Sequence, residues 1–263
     1  MNIALPVLIV GGLGLLFGVV LTVASIVMHV PTDERVEQIT ALLPGANCGG
    51  CGYPGCSGYA AAIVQDGAPL TLCAPSGDAV KDMPSSAMGV DSVDVTRGFA
   101  VNLCQGTTKA AAQRFQYAGI PTCAAANAFY GGNLACPYGC LGLGDCAAAC
   151  QFNAIAIVDG VARIDINACT DCGACLKACP KNLIHRKEER GKAIVLCSSH
   201  SKGKETRAAC KNGCIACGRC VKVCPEQAIA MENNLARIDQ ALCTACGKCV
   251  EVCPTNCIAM VPR

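Results

Sequence analysis

The stretch Cys214-Ile215-Ala216-Cys217-Gly218-Arg219-Cys220-Val221-Lys222-Val223-Cys224-Pro225 decides how this chain is read. Its cysteines stand in C-x2-C-x2-C-x3-C-P spacing. Three thiolates two residues apart, on a loop wound round a cube, each reach a different iron of a four-iron cluster. The fourth lies beyond that reach and ligates a neighbouring cluster. Cys243, Cys246, Cys249, Cys253 and Pro254 repeat the run, as do Cys169, Cys172, Cys175, Cys179 and Pro180. The cargo of such a chain is electrons.

Composition supports this. The 263 residues hold 25 cysteines and 28 glycines, no Trp, and only five Phe and five Tyr. That leaves modest apolar bulk for a large core, so small modules folded around metal are expected. The net charge of +2 gives no sign of a nucleic-acid partner. Disulfide scaffolds do not repeat triple C-x2-C-x2-C runs, and zinc knuckles leave the third cysteine of each run without a role. Free thiolates of this density belong on the reducing side of a membrane, hence the cytoplasm.

Residues Ile3 to Val30 contain no Asp, Glu, Lys or Arg, and His29 is their only titratable side chain. The run exceeds the ~20 apolar residues that cross a bilayer and lacks the basic start of a signal peptide. It predicts an uncleaved, single-pass transmembrane anchor over 1–31, with the cysteines inside. Gly14 and Gly18 permit close packing on another helix. A small, mainly helical cluster domain follows over 32–75. Thr32 is expected to cap a helix whose face carries Val36, Ile39, Leu42 and Leu43. Cys48, Cys51, Cys56 and Cys73 then stand in C-x2-C-x4-C-x16-C spacing and predict one four-iron cluster. Gly50, Gly52 and Gly55 match G-x-G-x-x-G, but no strand precedes them, so a dinucleotide site is rejected. Residues 76–98, rich in Pro, Ser, Gly and Asp, read as a linker.

The remainder repeats itself at an offset of 74 residues. Cys123 aligns with Cys197, Cys136 with Cys210, Cys140 with Cys214, and Cys169 with Cys243. Ala162-Arg163-Ile164-Asp165 aligns with Ala236-Arg237-Ile238-Asp239. Each half, over 99–190 and 191–263, resembles a two-cluster bacterial ferredoxin. That resemblance implies an α+β fold in which each run precedes a short helix, with hairpin strands at Ala154 to Val158 and Val161 to Ile164. The fourth-cysteine rule assigns Cys214, Cys217, Cys220 and Cys253 to one cluster, and Cys243, Cys246, Cys249 and Cys224 to another. In the earlier half it assigns Cys169, Cys172, Cys175 and Cys150 to a third. There Leu143 stands where the copy has Cys217, and Gln151 replaces the usual Pro. Cys136 is expected to make good the loss, in a set with Cys140, Cys146 and Cys179. Five [4Fe-4S] clusters result. A sixth is hypothesised on Cys104, Cys123, Cys197 and Cys210, with Cys257 unligated.

The order of anchor, cluster domain and Cys136-Pro137-Tyr138-Gly139-Cys140-Leu141-Gly142-Leu143-Gly144 resembles the B subunits of Rnf-type electron transport complexes over nearly the whole chain. The resemblance implies one component of a translocase in the bacterial cell membrane, passing electrons between soluble ferredoxin and NAD and pumping Na+ or H+. Its partners would be flavin-bearing and membrane subunits, soluble ferredoxin, and lipid around the anchor. The alternative is an iron–sulfur carrier of a hydrogenase, a formate dehydrogenase or a corrinoid-reactivating system. No nucleophile–base constellation is visible, so no catalytic residue is assigned; His29, His185 and His200 are scattered. Lys177, Lys181, Lys222 and Lys248 lie near the runs, where they could steer an acidic partner.

Overall fold

The computed structural model describes residues 4–27, 33–76 and 98–262. Helix α1 covers Ala4–Val27. Its side chains are described only over residues 10–25, about 24 Å of helix against a ~30 Å hydrocarbon layer. Among the described residues no helix is long and apolar enough to cross a membrane. The span expected over 1–31 therefore rests on the sequence.

In the small domain, helix α2 (Glu34–Leu42) is capped by Asp33, whose carboxylate accepts from the Arg35 N–H at 3.0 Å. The expected cap, Thr32, lies outside the described residues. Ile39 and Leu43 are buried against Tyr59, Ala60 and Ile63 of helix α3 (Cys56–Asp66), while Leu42 faces solvent. Gly67, left-handed at φ 64°, ends α3. A 3-10 turn at Leu70–Leu72 then delivers Cys73 to the same core. The Tyr59 hydroxyl donates to the Pro69 carbonyl at 2.6 Å and fixes that return.

The rest of the chain is mixed helix and strand, built twice on one plan. In the first module β1 (Phe99–Asn102) pairs antiparallel with β4 (Ile184–Lys187), and β2 (Ile155–Val158) with β3 (Val161–Ile164). In the second, β5 (Ala193–Val195) pairs with β8 (Ile258–Met260), and β6 (Ile229–Glu232) with β7 (Leu235–Ile238). The hairpins turn at Asp159-Gly160 and Asn233-Asn234. Both residues of each turn have positive φ, which matches the twist of the strands they join. The modules also contain helices α4 (Cys123–Ala128), α5 (Asp145–Ala148), α6 (Ala174–Ala178), α7 (Gly203–Ala209), α8 (Arg219–Val223) and α9 (Lys248–Glu251).

All four residues of β1 are buried, because both its faces are used. Ala100 points into the first module's core, while Phe99 and Val101 pack with Ile194 and Val261 of the second. The two modules thus share an apolar seam along their outer strand pairs.

The repeat does not keep one offset at its start. Leu103 N–H donates to Leu183 O at 2.8 Å, and Leu196 N–H to Cys257 O at 2.7 Å. These are matching ladder positions, so Leu196 corresponds to Leu103 and Cys197 to Cys104. The offset of 74 holds only from Cys136 onward. Cys123, expected to match Cys197, sits instead in a segment between β1 and Cys136 that is longer in the first module. Part of that segment staples the halves. Ala112 N–H donates to Ala209 O at 2.9 Å, Lys211 N–H to Ala110 O at 2.9 Å, and Ala135 N–H to Ala112 O at 2.8 Å.

Candidate metal centres

The cysteine loops wind by a repeated backbone device. Each alternates left-handed residues two apart: Gly142 and Gly144, Asp171 and Gly173, Ala216 and Gly218, Ala245 and Gly247, with φ between 55° and 93°. The second glycine of each pair opens the short helix that carries the third cysteine. Alanine at positive φ is strained by about 1–2 kcal/mol. It persists at Ala216 and Ala245 because the surrounding loop over-determines it.

Outside the small domain, every thiol but Cys257 falls into a group of four. Cys150, Cys169, Cys172 and Cys175 line one cavity. The Thr170 side chain lines the same cavity and hydrogen-bonds the Cys172 thiol. Cys220 lies with Cys214, Cys217 and Cys253, and Cys249 with Cys243, Cys246 and Cys224, in one core of the second module. Cys51, Cys56 and Cys73 meet in the small domain's core, and Cys48 faces Cys172.

Two groups differ from the expected partition. Cys123, not Cys136, joins Cys140, Cys146 and Cys179 around a second cavity. Asp145 sets it there: its two carboxylate oxygens accept from the N–H groups of Cys123 at 2.7 Å and Ala124 at 2.9 Å. Cys136 is drawn the other way and lines a cavity with Cys104, Cys197 and Cys210. The physical reason is the extra segment, which returns Cys123 to the gap left by Leu143. Cys136 then keeps the place that Cys210 holds in the copy. The resulting set is two matched pairs related by a pseudo-twofold. Cys140 N–H donates to Cys104 Sγ at 3.4 Å and Cys214 N–H to Cys197 Sγ at 3.3 Å. Gly106 and Ser199 N–H donate to the same two sulfurs, each at 3.5 Å.

Among the described residues no three His, Cys, Asp or Glu side chains converge closely enough for a single metal ion. Burial pushes Cys104 and Cys175 up to about 12, and Cys146 and Cys220 to about 11, with neighbouring thiols adding repulsion. Four thiolates cannot be held this way without iron to neutralise them, so metal binding expels protons. Two thiols shift the other way: a hydrogen bond from Cys257 holds Cys214 at about 6, and Cys253 is lowered, against its burial, by hydrogen bonds from Thr255 and Cys257.

The remaining candidates separate. Lys181 does not face solvent as a steering charge: its ammonium donates to Gly131 O at 2.6 Å and Pro137 O at 2.7 Å. Lys177, Lys222 and Lys248 are exposed. His185 and His200 each engage a backbone carbonyl at 3.1 Å, and His29 lies outside the described residues. Gly50 packs on the Cys172 carbonyl, which a Cβ would meet at 2.5 Å, so its glycine serves contact between domains rather than nucleotide binding.

Residues 43–75 match a family described as a putative Fe-S cluster, and residues 168–229 and 208–260 match 4Fe-4S dicluster domains. The B subunit of the Na(+)-translocating ferredoxin:NAD(+) oxidoreductase complex of Acetobacterium woodii is 44% identical over 90% of this chain and 72% of its own length. The chain belongs to the B subunits of Rnf-type ion-translocating oxidoreductase complexes. The B subunit of an ion-translocating oxidoreductase complex of Methanosarcina acetivorans is 40% identical over 88% of each chain. Its counterpart in the proton-translocating ferredoxin:NAD(+) oxidoreductase complex of Clostridium ljungdahlii is 39% identical over 92% of this chain and 86% of its own. This Rnf-type protein is therefore an iron–sulfur electron relay, and the carrier subunits of hydrogenases, formate dehydrogenases and corrinoid systems are set aside.

Proposed function

We propose that this chain holds six [4Fe-4S] clusters in one line and carries electrons between soluble ferredoxin and the flavin-bearing subunits of a complex that couples ferredoxin:NAD oxidoreduction to Na+ or H+ movement. The observation that carries the reading is the pseudo-twofold set Cys104, Cys136, Cys197 and Cys210 between the modules. With it, groups of four take every cysteine except Cys257. When bound, the clusters supply one-electron carriers whose potentials the protein tunes through hydrogen bonds and exposure.

The chain's own residues set the order. The group around Cys243 shares the second module's core with the group around Cys214. The Cys214 N–H touches the junction set at Cys197, and the junction touches the first module through Cys104 and Cys140. The group around Cys169 follows, and Cys172 meets the small domain at Gly50 and Cys48. Exposure marks the ends. Cys217 and Cys246 are exposed, beside exposed Arg219, Lys222 and Lys248. Their counterparts in the first module are Leu143 and the half-buried Cys172. The open second module is thus the inlet for ferredoxin, and the small domain is the outlet toward partner subunits. The sequence of α1 supports a single-pass anchor in the cell membrane with the clusters on the cytoplasmic side.

Iron and acid-labile sulfide in anaerobically reconstituted protein test this directly. About 24 irons per chain are expected, with about four lost in Cys136→Ala and a different four in Cys123→Ala. A count near 20 that is unchanged by Cys136→Ala overturns the junction.

A further inference from the structure

The one cysteine outside the six groups has a defined place. Four residues after the last cysteine of each run comes a buried side chain: Ala154, Leu183, Ala228 and Cys257. Three are hydrocarbon and one is a thiol. Cys257 is 2% exposed, and its Sγ lies 3.6 Å from Cys253 Sγ. Cys214 is buried in the same cluster of side chains. The Thr255 hydroxyl stands 3.8 Å from Cys253 Sγ, where the first module has Lys181 turned away to backbone carbonyls. Leu183, at the matching site, brings only its backbone N–H to Cys179, at 3.4 Å.

We propose that Cys257 is a positioning residue, its S–H donating to the sulfur of Cys253 and raising the reduction potential of the cluster that Cys253 and Cys214 hold above that of its counterpart on Cys179 and Cys140. A donor on a ligand sulfur withdraws negative charge and favours the reduced, more negative cluster. The inference rests on the ligand sets proposed above. It makes the cluster next to the junction an electron well, so charge entering through Cys217 and Cys246 collects at the seam before crossing.

The test is an EPR-monitored redox titration of the full chain. Cys257→Leu copies the first module, Cys257→Ser keeps a donor, and Leu183→Cys gives the first module the same thiol. Cys257→Leu should lower one midpoint by roughly a tenfold change in its reduction equilibrium, ~59 mV for one electron. Cys257→Ser should shift it less, and Leu183→Cys should raise a different midpoint. Iron content stays at the wild-type value in all three. Unchanged midpoints in Cys257→Leu and Leu183→Cys overturn the proposal. Loss of about four irons in both Cys257 variants overturns it too, by making Cys257 a ligand. A wild-type count short of six clusters instead undermines the ligand sets, whatever the midpoints do.

Discussion

The two ferredoxin modules share strand pairs, hairpins and loop conformations, yet differ in what covers their thiols. In the second, Cys217 and Cys246 reach solvent. In the first, the cysteine at one site is lost to Leu143, and the other, Cys172, lies under Gly50 of the small domain. The backbone plan is thus indifferent to position in the molecule. Local side chains and an extra segment leave thiols of one copy open to solvent and cover those of the other.

The sharpest way to break that comparison is to remove the metal. Anaerobic chelation should abolish cooperative unfolding of both modules, read by near-UV circular dichroism, because cysteines make up much of each core. The sign with pH is fixed by burial. Thiols raised from 9.0 to about 12 favour the protonated apo fold. Their contribution is present below pH 9 and lost as pH rises through the raised values. Residual apo structure should therefore fade between about pH 9 and 12, while cluster assembly, which needs thiolates, quickens over the same range.

Next in size, Cys197→Ala should leave both modules loaded but part them. Dithionite-reduced clusters of the second module should no longer pass electrons to the small domain in stopped-flow absorbance. Asp145→Ala should loosen only the first module, since the copy has Arg219 there. Losing two charge-assisted bonds to Cys123 and Ala124 costs about 2–3 kcal/mol, seen as faster iron release to a chelator. High salt should slow reduction by ferredoxin about tenfold if Arg219, Lys222 and Lys248 steer it, with Lys181→Ala leaving that salt slope unchanged. The smallest effect is expected at Asp171. Its buried carboxylate accepts from Arg186 Nε at 2.5 Å and Gly98 N–H at 3.0 Å, a clamp absent from the second module, where Ala245 and Met260 stand. Asp171→Ala should cost roughly 1–2 kcal/mol in thermal melts of the holoprotein.

Much of this was legible in the sequence. The C-x2-C-x2-C spacing dictates the loop, and the turn residues at Asp159-Gly160 and Asn233-Asn234 dictate the hairpins. The short helices lie inside each run, on its third cysteine, rather than after it as expected, because the left-handed glycine before that cysteine starts the helix early. What spacing could not reveal was the choice between Cys123 and Cys136. Both precede Cys140 at workable distance, and the decision lies with Asp145, a carboxylate whose backbone partners are 21 and 22 residues away. One signal was present: Asp145 replaces the copy's Arg219 in the same module that lacks the middle cysteine. Cys123 cannot pair with Cys197 because a single offset does not hold across a length difference that only the ladder bonds of Leu103 and Leu196 expose. Membrane anchoring remains a statement about the composition of residues 3–30.

The junction draws Cys104 and Cys136 from one repeat and Cys197 and Cys210 from the other. A lone repeat therefore carries half a binding site and could complete it only by meeting its own twin. On the six-cluster reading proposed above, the centre is the relic of an ancestral homodimer joined across its axis.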